Sequence, residues 1–87
     1  MMFVIMAYDI AEKRVAKVRK IAQKYLSPVQ QSVFQGFLSQ KQLYKIQQEL
    51  KSKIDPETDK IVFYEANDIS TLKIDEIGFV DDQTMIL

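Results

Sequence analysis

Residues 2–8, MFVIMAY, are an unbroken apolar run, and the hydrophobic period changes as soon as Asp9 closes it. The run is too short for a typical helix and apolar on both faces, which predicts a central, buried strand. Alternation puts Phe3, Ile5, Ala7 and Asp9 on one face and Met2, Val4, Met6 and Tyr8 on the other. Over residues 12–26 the spacing becomes helical. Val15, Val18, Ile21, Ala22, Tyr25 and Leu26 share one arc, and Lys13, Lys17, Lys20 and Lys24 share the opposite one. Arg14 departs from that lysine stripe. It sits one turn before Val18 on the sheet-facing side, where its stem can be buried and its head aimed at the end of the first strand.

The rest of the chain continues the alternation of strand and helix. Ser27-Pro28 is expected to stop the first helix, because the residue before a proline avoids the α region. Residues 29–38, VQQSVFQGFL, read as one bent strand or two short ones, with Gly36 marking a bulge or tight turn. Ser39 with Gln42 predicts a capping box. Leu43, Ile46, Leu50 and Ile54 follow as the apolar seam of a second helix. Glu49 and Lys53 are expected to pair on it, and Asp55-Pro56 to end it. Residues 60–66 read as a strand, residues 74–80 as another, and residues 84–87, TMIL, as an apolar terminus. The fold class is α+β: two helices on one face of a mainly antiparallel sheet, a ferredoxin-like βαββαβ sandwich with one or two extra C-terminal strands.

Composition excludes several chemistries. The chain has 87 residues, a single domain's worth, with no Cys and no His. That removes a disulfide framework, most zinc sites and every Ser-His-Asp or Cys-His arrangement. Gly36 and Gly78 are the only glycines, so no glycine-rich phosphate loop can be written. Any reaction must use carboxylates, Lys/Arg, hydroxyls or a hard cation. No stretch resembles a targeting or membrane-spanning segment, so a cytoplasmic location is the expectation. A chain this small also gains from pairing with a second copy, which would bury its apolar terminus.

The charges are segregated although they cancel overall. Residues 1–30 carry six basic and two acidic side chains, and residues 61–87 one basic and six acidic. A basic surface for an anionic partner is one reading, with Lys13, Arg14, Lys17 and Lys20 as nucleic-acid contacts; a solvated helix face with an acidic tail is the other. Asp9 stands at the end of the first strand beside this cluster. There it can bind Mg²⁺ or Mn²⁺, and two copies across a two-fold axis would double the charge. The competing reading makes Asp9 a helix cap. Tyr8 and Phe34 read first as core aromatics, with a water-positioning hydroxyl and a base-stacking ring as their functional alternatives.

Several segments together resemble a known family. They are Tyr8-Asp9-Ile10, Lys13-Arg14-Val15, Lys17-Val18-Arg19-Lys20, Tyr25-Leu26, the stretch Val29-Gln30-Gln31-Ser32-Val33-Phe34-Gln35-Gly36, Gln42-Leu43 and Glu49-Leu50. In that order and spacing they resemble the small CRISPR-associated endonuclease family of the spacer-acquisition module, the smaller partner of the CRISPR integrase. The resemblance covers residues 1–66, taken as the ferredoxin-like core. Residues 67–87 are read as C-terminal strand and tail, contacting a dimer mate or a partner.

The resemblance implies a homodimer whose axis brings the two Asp9 carboxylates together. It implies Mg²⁺- or Mn²⁺-dependent cleavage of single-stranded RNA or double-stranded DNA. It also implies a role that needs no cleavage, in which the dimer bridges integrase dimers and holds DNA. By position Asp9 matches the metal-site aspartate, Tyr8 its neighbour, Arg14 a basic residue of the first helix and Phe34 an aromatic beside the cleft. Where members often carry an arginine before the Val-Gln-x-Ser segment, this chain has Pro28. Three rivals accompany this reading: a non-catalytic DNA-binding scaffold, a toxin-type ribonuclease of the same fold, and a small-ligand regulatory domain.

Overall fold

In the computed structural model the described residues are 1–68 and 71–78. The element order is β1 (Met2–Asp9), α1 (Glu12–Ala22), β2 (Ser27–Gln30), β3 (Val33–Leu38), α2 (Gln40–Lys51), β4 (Lys60–Asp68) and β5 (Thr71–Gly78). The strands make one sheet in the order β2-β3-β1-β4-β5, antiparallel at every junction. Each helix therefore joins strands that lie one position apart in the sheet, with a third strand between them. This is the ferredoxin-like arrangement expected from the sequence, with β5 added at one edge.

The apolar run became the central strand because both of its edges are paired, to β3 and to β4. Its Met2, Val4 and Met6 are buried in one cluster with Val18, Ile21 and Ala22 of α1 and Leu43, Ile46 and Leu50 of α2. Phe34 of β3 and Ile61 and Phe63 of β4 complete that core. The opposite face of β1 carries Phe3, Ile5 and Ala7, which are only half-buried, and Asp9, which is exposed. On β3, Phe37 is 65% exposed and packs edge-on against Phe3 at 5.3 Å. Ile74 of β5, opposite Tyr64, is also exposed. Both helices lie on the other side, so among the described residues no helix covers this apolar face, which ends at Asp9 and on which Val62, opposite Ala7, is buried.

Local expectations fared unevenly. Ser39 accepts from the Gln42 N–H and the Gln42 side chain accepts from the Ser39 N–H, so the capping box is present. α1 stops at Ala22, short of Leu26, because Ser27 and Pro28 already belong to β2. α2 likewise stops at Lys51, ahead of Asp55-Pro56, and Ile54 packs on the core from the loop that follows. Residues 29–38 resolve into two strands turning at Gln31-Ser32. The bulge lies at Pro28–Gln30 in β2, not at Gly36, which pairs regularly with Val4. Gly36 serves close packing: a Cβ there would stand 3.1 Å from Leu26 Cδ2. Glu49 does not pair with Lys53. It reaches across to the turn that follows α1, accepting from Lys24 Nζ and Tyr25 Oη and tying that turn to α2. These two donors, Lys24 first, pull the Glu49 carboxyl below its ordinary value, and the same contact pushes the Tyr25 hydroxyl up.

The strand expected over residues 74–80 is described to Gly78, and residues 84–87 lie outside the described residues. Gly78 has φ +94°, and a Cβ on it would meet the Asp59 carbonyl oxygen at 2.1 Å. Gly78→Ala is therefore expected to destabilise the fold by about 2 kcal/mol through combined strain and clash. A urea melt checks this; an unchanged midpoint would show that the end of β5 yields freely.

Candidate functional site

The C-terminal end of β1 meets the α1 N-terminus, the β2–β3 turn and the start of β4. Tyr8, Asp9, Ile10, Val15, Gln31 and Ser32 line an open cleft there of about 350 Å³. Alternation along β1 turns Tyr8 toward the helices and Asp9 toward the open face of the sheet. Asp9 is exposed and pairs in register with Lys60 of β4.

Asp9 is not a helix cap. Ala11 holds the N-cap position, with no side-chain cap bond, and the Ala11 N–H donates to Asp59 Oδ1 at 3.0 Å. Asp59, which the sequence pattern does not mark out, is fully buried at the start of β4. It also accepts from the Asp55 N–H at 2.9 Å and from one edge of Arg14, Nε at 2.5 Å and Nη2 at 3.1 Å. The hydrogen bond from Arg14, joined by the two backbone N–H groups, outweighs burial and holds the Asp59 carboxyl far below the usual carboxylate range. Burial without a partner would have pushed it up instead.

This pairing relocates Arg14. Its head does reach the end of the sheet, but Asp59 and Thr58 occupy it on the β4 side. It braces the α1 N-terminus and offers the cleft no open charge. Phe34 is fully buried, so it offers no surface for a base. Its ring stacks with Tyr8 at 6.3 Å between centroids. Tyr8 Oη donates to the Gln31 carbonyl oxygen at 2.9 Å, fixing the β2–β3 turn to the end of β1. Lys13, Lys17 and Lys20 are exposed along α1, as the stripe predicts. Lys24 is drawn off toward Glu49.

Arg19 is the cation that the sequence pattern alone does not single out. Its Nη1 donates to the Gln31 carbonyl oxygen at 2.7 Å and to Tyr8 Oη at 3.3 Å. Its guanidinium lies 5.2 Å from the Phe34 ring centroid. The clue is faint: Arg19 breaks the lysine stripe and sits one turn after Val15, beside the apolar arc.

The donor set fits a divalent cation only in part. Among the described residues no three carboxylates cluster. Asp9 alone offers an exposed, solvent-facing carboxylate at the cleft. Mg²⁺ accepts so few protein ligands, since it keeps most of its waters, and a second Asp9 would supply another.

The family model described as CRISPR associated protein Cas2 matches residues 2–74. A protein of Thermotoga maritima named CRISPR-associated endoribonuclease Cas2 is 43% identical over 77 residues, 88% of each chain. One of the same name from Methanosarcina acetivorans is 39% identical over 77 residues, again 88% of each. A crystal structure of Streptococcus pyogenes Cas2 superposes with a TM-score of 0.67 at 34% identity, covering 74% of this chain and 83% of that one. A second Cas2 crystal structure gives 0.71 at 41% identity, covering 74% and 72%.

Proposed function

The chain belongs to the CRISPR-associated Cas2 family, and we propose that it acts in CRISPR adaptation as a nucleic-acid-binding homodimer with metal-dependent endoribonuclease activity. The observation that carries this reading is the position of Asp9, one exposed carboxylate at the cleft and at the end of an open apolar sheet face. A second copy laid on that face would cover Phe3, Ile5 and Phe37 and supply a second Asp9. Burying each large side chain contributes about 1.5–3 kcal/mol, which gives such a dimer its driving force. The two Asp9 residues would hold Mg²⁺ or Mn²⁺. When bound, the ion supplies Lewis-acid stabilisation of the phosphoryl charge and eases deprotonation of the attacking water. Tyr8 fixes the β2–β3 turn beside Asp9, and Phe34 keeps Tyr8 in place. Lys13, Lys17 and Lys20 contact phosphates along α1, and the integrase is the partner the dimer bridges.

Three measurements test the reading. Light scattering at micromolar concentration should give a dimer. Single-stranded RNA should be cleaved with Mg²⁺ or Mn²⁺ and not with EDTA, with double-stranded DNA run in parallel. The protein should co-purify with a CRISPR integrase. A monomer that cuts nothing with either metal would overturn the proposal. Toxicity on expression without integrase binding would point to a toxin-type ribonuclease.

The lysine stripe carries its own prediction. Neutralising Lys13 and Lys17 together, as glutamine, is expected to weaken duplex DNA binding equally for all sequences. The log–log salt slope should fall by about 1.8, at about 0.9 for each phosphate that is no longer neutralised. An unchanged slope would mark the stripe as a solvated face.

A further inference from the structure

The chain has two arginines, Arg14 and Arg19, both on α1. Their surroundings differ. Arg14 is neutralised by Asp59 through a two-point contact. Arg19 faces neutral groups only: the Gln31 carbonyl, the Tyr8 hydroxyl and the face of Phe34. Among the described residues no carboxylate pairs with it, and its Nε and Nη2 make no hydrogen bond. Two hydrogen bonds and a ring therefore hold the guanidinium from one side. Its other edge is a ready fork of N–H donors carrying a full charge.

Such an edge has a preferred ligand. Planar N–H pairs of a guanidinium match two oxygens of a phosphate, and a cation anchored in advance loses little entropy on binding. Both groups that anchor it, Tyr8 and Gln31, line the cleft beside Asp9. We propose that Arg19 binds a backbone phosphate of the nucleic-acid strand lying in the Tyr8–Asp9 cleft, setting the register of the strand against Asp9; the proposal rests on the nuclease reading of that cleft. Lys13, Lys17 and Lys20 of the stripe are exposed, and none is held in place as Arg19 is, so they attract a strand without fixing its position. Arg19, held by Tyr8 and Gln31, supplies a positioned positive charge at the edge of the cleft.

The test combines binding without metal and cleavage with it. In EDTA, Arg19→Gln should lower the salt slope of binding to a single-stranded RNA oligonucleotide by about 0.7, the value of one phosphate contact on a single strand. Arg19→Lys, which retains the charge, should keep the wild-type slope. In Mg²⁺, both variants should raise KM for the RNA about tenfold, the cost of one charge-assisted contact at about 1.4 kcal/mol, with a smaller change in kcat. A lower melting temperature for Arg19→Gln with unchanged slope and KM would show that Arg19 is only a tether for the β2–β3 turn and would overturn the proposal. If Arg19→Gln does not fold, the wild-type protein decides: the Arg19 Nε–H resonance should shift on titration with a short single-stranded RNA in EDTA, and a stationary resonance overturns the assignment. Asp9→Ala separates the two readings. If it cleaves like wild type, the nuclease reading fails while the Arg19 slope still reports the phosphate contact. If it is inactive and the Arg19→Gln slope is unchanged, only the Arg19 assignment fails.

Discussion

Asp9→Asn is expected to lower metal-dependent cleavage about a thousandfold, because metal stabilisation of phosphoryl charge is worth several kcal/mol and each tenfold in rate about 1.4 kcal/mol. The substitution keeps the size of the side chain and removes its charge. It disturbs no cap, since Asp59 rather than Asp9 accepts from the Ala11 N–H. The fold should therefore be intact. In the proposed dimer two Asp9 carboxylates would repel one another unless a cation lay between them. Mg²⁺ should accordingly raise the melting temperature of the wild type and leave that of Asp9→Asn unchanged, and without metal the variant should melt higher than the wild type. Melting curves with and without Mg²⁺, beside a cleavage assay, read both effects. Normal cleavage by Asp9→Asn, with no response of the wild type to Mg²⁺, would remove Asp9 from the reaction.

Asp59→Ala should be the most damaging single substitution to the fold. Asp59 is fully buried and satisfies five donors at once: the Ala11 and Asp55 N–H groups, Arg14 Nε and Nη2, and the Thr58 hydroxyl. Removing one partner of such a pair costs about 3 kcal/mol, since the arginine is left with a charge it can solvate only partly. For a domain of this size that lowers the melting temperature by about 12–24 °C. Acid should narrow the difference. The folded-state carboxyl lies below its ordinary value, so its stabilisation is complete above the unfolded pKa, about 3.9, and is lost as pH falls through the lower folded value. Melts from pH 7 downward should show wild type and Asp59→Ala separated widely at neutral pH and converging below about pH 4. A constant separation would place the cost elsewhere than in the ionised carboxylate.

The alternation that makes residues 2–8 a strand, the lysine stripe of α1 and the Ser39–Gln42 cap are local properties, and each could be read without coordinates. So could the resemblance that singled out Tyr8, Asp9, Arg14 and Phe34. What could not be read is which charges meet. Asp59 and Arg14 are 45 residues apart in the chain, and only the antiparallel pairing of β1 with β4, in which Asp9 stands opposite Lys60, brings the start of β4 to the foot of α1. Glu49 has an obvious i,i+4 partner in Lys53, yet it bonds Lys24 and Tyr25 because the turn after α1 lies beside α2. The sequence by itself determined the elements, their order and the carboxylate at the end of the first strand, because period, capping and turn chemistry act over a few residues. The tertiary structure alone decided that Arg14 is neutralised, that Phe34 is buried against Tyr8 and that Arg19 bonds Tyr8 and Gln31, because electrostatic pairing and burial depend on distances in space that no spacing along the chain encodes.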